Sequence, residues 1–449
     1  MSVWWLIGAT RAPTNYDSGL YHIQAMWYTA EFKTIPGLTN LYHSYGFSNS
    51  LNSLVGIASN GPLGLDAYRA INGFIFSLLS FEIILRLIGG YKKAVGTKVL
   101  VIALFVFVTP MIAMVDYWVT SPTFDTPVAI MTFVSFAALA DTLTRTRVYS
   151  VDVFIVLVPL ALASSMRQHY WFLFGFAFLI LGWKLWKSKS SWFASGFVIS
   201  SVGATLLFGV MIARDYFLSG WVMYPYKTFS FNVDWLAPDP IGLIDAGKQW
   251  ARSPTAAYQQ SSEGWWWVRP WLGANLTSWV FLAILGCLVL ALMALVITRT
   301  LWRPRVLVLV LTPHVLFLAI LFFLGAPHVR YVWAPLLLLG AAPLAWVWMA
   351  WEKSIDPGAR LMELALSASG VSLAGVVALS AVVVLPRLDV DMPVIGVDKI
   401  PLNSSITLLV PEGTDQCWEN YPVCSGMATP GITPRGESIG DGFRIKPVK

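Results

Sequence analysis

The sequence predicts an all-α protein, a polytopic bundle of transmembrane helices, and three observations lead to this prediction. Of its 449 residues, 57% are apolar and only 12% are charged, whereas a soluble domain keeps about a quarter of its residues charged. The apolar residues form long blocks rather than the spaced stripes of a half-buried helix. Most blocks are close to the roughly 20 residues that cross a bilayer as a helix. A soluble fold is excluded, because the chain lacks the polar residues to cover its surface.

About ten apolar blocks follow one another along the chain, separated by short polar connections. We predict one membrane-spanning helix for each block. The predicted spans are 68–90, 97–117, 126–143, 150–166, 170–186, 192–212, 273–298, 305–325, 332–351 and 364–386.

Basic residues orient this bundle. Lys and Arg concentrate at every second connection, namely at 91–93, 144–147, 184–190, 298–305 and 352–360. By the positive-inside rule these connections face the cytoplasm, and the other connections and both ends of the chain face outward. The net charge of +6 is explained by this topology, so we expect no nucleic-acid partner.

The first outward segment departs from the pattern of spans. Residues 1–9 would rise only about 14 Å as a helix, too little for a hydrocarbon core of about 30 Å. Either a further helix precedes Met1, which we favour, or the N-terminus is translocated. Residues 20–35 mix aromatic and polar side chains and predict an amphipathic helix lying in the outer interface. A turn at 36–40 and a further helix capped by Ser or Asn follow.

The chain divides into two parts. We assign residues 1–386 to the transmembrane domain and residues 387–449 to a small, irregular extracytoplasmic tail, which is rich in Pro and Gly. Cys417 and Cys424 lie close together in this tail. We expect them to form a disulfide if the tail occupies an oxidising compartment.

Two aspartates on outward segments are candidates for chemistry. Asp17, in NYDSGLYHIQAMWY, either caps the interfacial helix or acts as a catalytic base. Asp125, in TSPTFDTPVAI, either stabilises the N-terminus of a span or faces Asp17 as a metal ligand or acceptor-binding group. Asp116, just before it, is an alternative to Asp125.

Arginines at two outward corners form a second candidate group. Arg167 precedes His169 in SSMRQHYWF, and Arg330 precedes Tyr331 in GAPHVRYVW. Such arginines commonly reach phospholipid phosphates at the membrane surface, but the planar guanidinium also suits a specific phosphate ligand. Arginines are uncommon on the outer side of a membrane protein, so we favour specific phosphate binding, more strongly for Arg330.

Other polar and aromatic residues have simpler explanations. His22, which follows Tyr21, is either an interfacial polar group or a carbohydrate contact. Glu82 and Arg86 lie one helical turn apart inside a span and are expected to pair. The tryptophans of SEGWWWVRPWLG indicate an aromatic belt at the interface, with sugar stacking as the functional alternative.

These features together resemble the GT-C glycosyltransferases, membrane enzymes that take sugars from polyprenyl-phosphate carriers. More specifically, the chain resembles a bacterial multipass membrane-protein family of that superfamily, whose chemistry is assigned largely by analogy. The matching stretches are YDSGLYHIQAMWY, PGLTNLYHSYGFSNS, SPTFDTP, RDYFLSGWVMYP with VDWLAP, APHVRY, and DQCW with PVC in the tail. The chain departs from the family in its missing first helix and at His328, where the family usually has an acidic residue.

The resemblance implies an inverting transfer of a hexosyl or pentosyl group at the outer face of the bacterial cytoplasmic (inner) membrane. The donor would be a polyprenyl-phosphate sugar and the acceptor an envelope glycan or lipid. Asp17 would be the base, and Arg330 and Arg167 would stabilise the departing phosphate. Asp125 would orient the acceptor or share a divalent cation, Mg²⁺ or Mn²⁺, with Asp17. The other implied substrate-binding residues are Tyr21, His22, His169 and Tyr331.

Two other classes of function stay open on the sequence. A transporter or flippase would bind a lipid-linked or polar-lipid substrate at the same residues without reaction. Transporters tend to place ionisable groups at the midplane, often within internal repeats, and neither feature is visible in this sequence. A non-catalytic component of a polysaccharide-assembly system is the third possibility.

Overall fold

The structure, a computed structural model, describes residues 2–9, 11–108, 117–188, 195–227, 229–252, 265–278, 304–354 and 391–446, and a few positions between 281 and 289. It is mostly helical. The α-helices are α1 (Ser2–Ala9), α2 (Ile23–Glu31), α3 (Ser50–Ala58), α4 (Ala67–Ile88), α5 (Val95–Val101), α6 (Tyr117–Thr120), α7 (Asp125–Thr144), α8 (Ser150–Met166), α9 (Trp171–Lys187), α10 (Ser195–Ser219), α11 (Ile241–Arg252), α12 (Val268–Leu276), α13 (Pro304–Leu324) and α14 (Val329–Ser354). A π-helix, Ser18–His22, leads into α2, and another, Ile102–Val108, continues α5.

Among the described residues, five helices are long and apolar enough to cross a membrane, namely α4, α7, α10, α13 and α14. They overlap the predicted spans 68–90, 126–143, 192–212, 305–325 and 332–351. Helices α8 and α9 coincide with two further predicted spans, but their 17 residues rise only about 25 Å. The end of span 97–117, most of span 273–298 and all of span 364–386 lie outside the described residues, so the number ten stays a prediction.

Helix α7 lies at the centre of the described bundle. It is apolar all round, with Phe133 and Phe136 among its buried side chains, and a helix of this kind needs neighbours on every side. It packs against α4, α5, α8, α9, α13 and α14. Polar residues at its two ends form two separate regions. Asp125 at one end and Asp141 at the other are about 24 Å apart along the helix axis.

The Asp141 end of the bundle carries the predicted pair of Glu82 and Arg86. Nε of Arg86 donates to Oε1 of Glu82 at 2.6 Å, as predicted, and Nη1 also donates to Oδ2 of Asp141 at 3.0 Å. Lys98 pairs with Glu352 at 2.9 Å. These residues come from or adjoin connections that the charge pattern assigns to one side of the membrane. The two sets of connections thus lie at opposite ends of α7.

Helix α1 packs along α4 in a close approach. Nε1 of Trp5 donates to Oγ of Ser80 at 3.0 Å, and the Trp5 ring stacks on Phe76 with centroids 4.7 Å apart. Gly73 permits this approach, because a Cβ there would lie 2.5 Å from the Cβ of Ala9. The first described segment is therefore a helix that belongs to the bundle core.

The segment predicted to lie in the interface is helical, with a π-helical first turn, but every residue from Ile23 to Tyr28 is buried, so this part of the helix is enclosed by protein and not amphipathic. The π-helix and α2 make one continuous rod, and Gly37 then turns the chain in the left-handed conformation, φ +67°. Asn49 caps α3 by accepting a hydrogen bond from the backbone N–H of Leu51 at 2.9 Å.

The tail is more regular than predicted, because residues 391–446 contain two antiparallel hairpins. The six described strands are β1 (Trp221–Val222), β2 (Phe229–Ser230), β3 (Val397–Pro401), β4 (Thr407–Pro411), β5 (Ile432–Pro434) and β6 (Phe443–Ile445). Strands β3 and β4 pair, as do β5 and β6. The side chain of Asn403 shapes the β3–β4 turn by accepting from the N–H groups of Ser405 and Ile406. The sequence analysis did not predict these short strands, because the many Pro and Gly residues of the tail indicated an irregular segment.

The tail is anchored on the interfacial segment. The carbonyl of Gly19 accepts from the N–H groups of Cys417 and Trp418 at 2.7 and 3.0 Å, and Gln24 donates to the Trp418 carbonyl at 2.7 Å. Cys417 and Cys424 form a disulfide that closes this turn. The tail therefore covers the helix that begins at Asp17.

Replacing Gly19 by Ala is expected to loosen the tail and to lower the melting temperature. A Cβ at Gly19 would lie 2.5 Å from Cε2 of Trp418, and such overpacking costs about 1–3 kcal/mol. The matched control is Gly175→Ala in α9, where a Cβ meets nothing within 4 Å and Ala favours the helix by up to about 1 kcal/mol. Thermal unfolding in detergent compares the two variants. Equal melting temperatures would contradict the proposed packing.

Candidate functional site

The structure brings both candidate aspartates and both candidate arginines together at one end of the bundle. We call Asp17, Asp125, Arg167 and Arg330 the Asp–Arg cluster. Nη1 of Arg330 donates to Oδ2 of Asp17 at 2.8 Å. Asp17 makes no side-chain capping hydrogen bond to the helix that follows it. The capping explanation of Asp17 is therefore wrong, and its carboxylate faces the cluster instead.

Asp125 is the second carboxylate of the cluster and the first residue of α7. Its Oδ1 accepts from Nε of Arg167 at 2.8 Å and also from Nη2 of the same guanidinium. Its Oδ2 lies 3.7 Å from Nε of Arg330. Arg330 thus bridges the two carboxylates, and Asp125 also has the favourable position at a helix N-terminus that the sequence predicts.

Local backbone structure holds each member in place. Arg167 follows the last residue of α8 in an extended conformation, φ −135° and ψ 102°, before a short 3-10 turn. Arg330 is the second residue of α14. The Asp17 loop is tied to the loop before α7, because Oγ of Ser121 accepts from the N–H groups of Thr14 and Asn15 at 2.9 and 2.8 Å. Four segments that are distant in sequence therefore meet at one point.

Aromatic rings enclose the guanidiniums. Arg167 lies between the rings of Phe124 and Tyr331, at 4.6 and 4.4 Å from their centroids. Arg330 lies 5.3 Å from the centroid of Tyr331 and 5.6 Å from that of Trp250. Such contacts stabilise a partly desolvated cation by about 0.5–2 kcal/mol each. They also give the site flat apolar walls beside its charges.

Trp250 is a site residue that the sequence analysis missed. It lies on α11, in the outward connection predicted between spans 192–212 and 273–298, and it stacks on His328 with centroids 4.5 Å apart and planes 15° apart. The available signal was the amphipathic spacing of IGLIDAGKQWAR, which is typical of a surface helix. The tryptophans that follow are also more than a belt, because Nε1 of Trp271 donates to the Pro327 carbonyl at 2.7 Å and supports this corner.

The predicted histidines and Tyr21 surround the cluster without joining its ion pairs. His22 packs edge-on against Tyr21 and Phe124, and both of its ring nitrogens are buried without a hydrogen-bond partner. His169 stacks on Phe317, and its Nε2 is also buried without a partner. Asp116, the alternative acid, lies outside the described residues.

Charge and burial determine the protonation of these groups. Burial opposes ionisation of Asp17, but Arg330, with a smaller contribution from Arg167, outweighs this effect and lowers the pKa of Asp17 below its ordinary value. Burial lowers the pKa of His22 to about 3, and burial together with Arg167 lowers the pKa of His169 to about 3. Asp17 is therefore ionised at neutral pH, while both histidines are neutral.

The cluster does not fit a divalent cation as it stands. Each carboxylate is already bound by a guanidinium, and two positive charges lie where a cation would bind. The described residues contain no group of three or more His, Cys, Asp or Glu side chains able to hold a metal. A shared Mg²⁺ or Mn²⁺ ion would require both ion pairs to open, so we assign no step to a metal.

Acidification is expected to destabilise the protein between about pH 6.5 and pH 3. The pKa of His328, like those of His22 and His169, is lowered by burial from 6.5 to about 3. Below pH 6.5 the unfolded chain binds protons that these folded histidines do not, which costs at most about 1.4 kcal/mol per pH unit for each. The stabilising charge of Asp17 is present above its ordinary pKa and is lost only as the pH falls through its still lower folded value.

The measurement is the melting temperature in detergent at pH 7, 6 and 5. It should fall with pH, and His22→Gln should reduce the slope because one proton fewer separates the two states. A melting temperature independent of pH would contradict the burial of neutral histidines.

Comparison with known proteins gives one match. A family profile described as a domain of unknown function (DUF8201) matches residues 1–337. No curated protein and no solved structure matches the chain. The matched part contains all four members of the Asp–Arg cluster and ends within α14.

Proposed function

The chain belongs to the DUF8201 family, and we propose that it is a GT-C-type glycosyltransferase. It transfers a hexosyl or pentosyl group from a polyprenyl-phosphate carrier to an envelope glycan or lipid acceptor. The reaction takes place at the outer face of the bacterial inner membrane. One observation carries this proposal, the Asp–Arg cluster of two carboxylates and two guanidiniums at one end of an apolar helix bundle.

Stability alone is a weak reason for such a cluster. Ion pairs removed from water often contribute nothing, or cost stability, compared with apolar side chains of the same volume. Ionisable groups in membrane bundles are rare and usually mark a pathway or a reaction site. Nε of Arg330 is buried, lies 3.7 Å from Oδ2 of Asp125, and donates no hydrogen bond to any described residue. The cluster thus keeps a donor for an oxygen of a ligand.

Binding of the donor changes the ion pairs of the Asp–Arg cluster. The donor is a phosphodiester with one negative charge, and its phosphate competes with Asp17 for Arg330. The planar fork of Arg330 and its spare Nε suit phosphate oxygens. Arg167, already between two rings, supplies the second positive charge. Donor binding therefore opens the ion pair between Asp17 and Arg330.

Opening this pair prepares Asp17 to act as a base. Burial raises the pKa of Asp17 and Arg330 lowers it, so loss of Arg330 leaves the effect of burial dominant. A carboxylate with a raised pKa accepts a proton more readily at neutral pH. The base is thereby activated only when the donor is present.

In the transfer step the acceptor hydroxyl gives its proton to Asp17 as its oxygen attacks the anomeric carbon. The bond between that carbon and the phosphate oxygen breaks, and the electron pair leaves with the lipid phosphate. The phosphate changes from one negative charge to two, and Arg330 and Arg167 stabilise the added charge. Attack from the face opposite the phosphate inverts the anomeric carbon. Asp125 holds Arg167 and orients the acceptor.

The aromatic residues fit a sugar as the transferred group. Tyr21, Tyr331 and Trp250 offer ring faces or edges beside the cluster. Both ring nitrogens of His22 and Nε2 of His169 have no partner among the described residues and can donate to or accept from hydroxyl groups. A transporter that binds and releases its substrate without reaction has less need of a paired acid and phosphate site at one face. The transporter is the competing function, and the following experiment distinguishes it from the transferase.

Purified protein in detergent, incubated with a panel of polyprenyl-phosphate sugars and membrane lipid acceptors, tests the proposal. We expect at least one donor to yield free lipid phosphate together with a glycosylated acceptor. A donor that binds to the protein but is recovered intact after transport across proteoliposomes would favour the transporter. Failure of every donor to bind would contradict the assignment of the cluster.

A further inference from the structure

A polar cavity lies at the same end of the bundle as the Asp–Arg cluster, between α2, α3 and the C-terminal part of α10. Its volume is about 380 Å³. We call it the Arg214 cavity. Its polar lining includes Thr29, Lys33, Asn52, Ser53, Asn60 and Arg214. Thr29 lies eight residues after Tyr21 on the continuous π- and α-helical rod, so the two sites are about 12 Å apart along it.

Arg214 forms no ion pair with a carboxylate in the part of the chain that the structure describes. Its Nη2 donates to Oγ1 of Thr29 at 2.7 Å, and its Nε is buried with no hydrogen-bond partner. Among the described residues, no carboxylate lies within ion-pair distance of it. The adjacent carboxylate, that of Asp215, instead accepts from Nε2 of Gln168 at 3.0 Å. This differs from Arg86, Arg167 and Arg330, each of which has a carboxylate partner.

An unpaired guanidinium removed from water is costly unless an anion compensates it. Lys33, an exposed residue that lines the cavity, adds a second positive charge. The amide and hydroxyl groups of Asn52, Ser53 and Asn60 add neutral hydrogen-bonding atoms. This set of groups suits a phosphate that carries hydroxyl substituents.

The surroundings of the cavity are apolar. Ile57, which lines it, is 72% exposed, and Leu206 and Val210 on the outer face of α10 are 65% and 64% exposed. Helix α10 is one of the five helices suited to crossing a membrane and is mostly unburied by the protein. A ligand in the cavity is therefore a neighbour of the lipid-facing surface. An amphiphile satisfies both the charges inside and the apolar faces outside.

We propose that the Arg214 cavity binds the phosphate head group of an anionic phospholipid. The phosphate lies between Arg214 and Lys33, and the acyl chains run along the exposed faces of α10 and α3. This site is separate from the Asp–Arg cluster and does not depend on the transferase assignment. Because it adjoins α2, an occupied cavity fixes the rod that carries Asp17.

Native mass spectrometry of the full chain tests this proposal with three probes: phosphatidylglycerol, phosphatidylcholine and inorganic phosphate. We expect one phosphatidylglycerol molecule to bind, with phosphatidylcholine and inorganic phosphate at least tenfold weaker. Arg214→Gln should weaken phosphatidylglycerol binding about tenfold or more, since hydrogen bonds to a charged group contribute about 1.5–3 kcal/mol. Lys399→Gln, which removes an equal charge at an exposed position of β3, is the matched control and should bind normally.

A second variant keeps the test independent of folding defects at Arg214. Ser53→Trp fills the cavity without changing its charge and should also abolish binding. Undiminished binding by both variants, or phosphatidylcholine bound as tightly as phosphatidylglycerol, would overturn the proposal. If inorganic phosphate binds as tightly as phosphatidylglycerol, the ligand of the cavity is a soluble anion, and the proposal is overturned as well.

Discussion

Asp17→Asn is expected to lower the rate of sugar transfer by about 10²- to 10⁴-fold while leaving the protein folded. The amide cannot accept the proton of the acceptor hydroxyl, and general base catalysis contributes a factor of this size. The fold should survive because Arg330 keeps the second carboxylate, Asp125, within 3.7 Å of its Nε. The measurement is the release of lipid phosphate from a donor sugar by the purified variant.

Donor binding gives this experiment its second readout. Arg330 no longer needs to leave a charged partner in Asp17→Asn, so the variant should bind the donor as tightly as the wild type or more tightly. Asp398→Asn, an equal change at an exposed position of β3, should alter neither quantity. If transfer is unchanged in Asp17→Asn, then Asp17 is not the base and a scaffold function is favoured. If binding and transfer are lost equally, Asp17 has a structural role.

Arg330→Gln is expected to lower transfer by about 10²- to 10³-fold, the range observed when one donor to a developing oxyanion is lost. The same variant should lose stability, because Asp17 becomes a largely buried carboxylate without its guanidinium. Its side chain is only 18% exposed and that of Arg330 only 17%. The loss of such a charged hydrogen bond costs about 1.5–3 kcal/mol.

A double-mutant cycle separates the two effects of Arg330. The double variant Asp17→Asn with Arg330→Gln leaves no unpaired carboxylate at position 17, so its melting temperature should rise above that of Arg330→Gln alone. Its transfer rate should not recover. Arg330→Lys keeps the charge and loses the planar fork, and should fall between wild type and Arg330→Gln. Recovery of transfer together with stability would contradict a role for Arg330 in the reaction.

Much of the candidate site was predictable because its residues share one local property. Asp125, Arg167 and Arg330 each lie at the end of an apolar block, Asp17 lies on the polar segment before the first predicted span, and the alternation of basic connections assigns all four to one side. A residue at such an end lies outside the hydrocarbon core, so its side chain does not have to be apolar. The predicted residues therefore met at one end of the bundle, although their roles stay predictions.

The missed features share the opposite property. Trp250 lies on a short amphipathic helix inside a predicted outward connection, and its role depends on stacking with His328 rather than on its own pattern. The anchoring of Trp418 on Gly19 is a contact between residues about 400 positions apart. Such contacts cannot be predicted from local sequence, because the residues around each partner give no indication of the distant residue that it contacts.

The sequence by itself determined that the chain belongs in a membrane, which residues lie at each end of its spans, and that carboxylates and arginines concentrate at one end. These properties follow from composition and from charge counted along the chain. Only the tertiary structure decided which carboxylate each arginine of the cluster binds, that Arg330 bridges both, and that Arg214 pairs with no carboxylate among the described residues. The reason lies in α7, whose surface is apolar on every side. Its sequence does not specify which neighbour packs on which face, so the pairing of the corners is fixed only when the helices assemble.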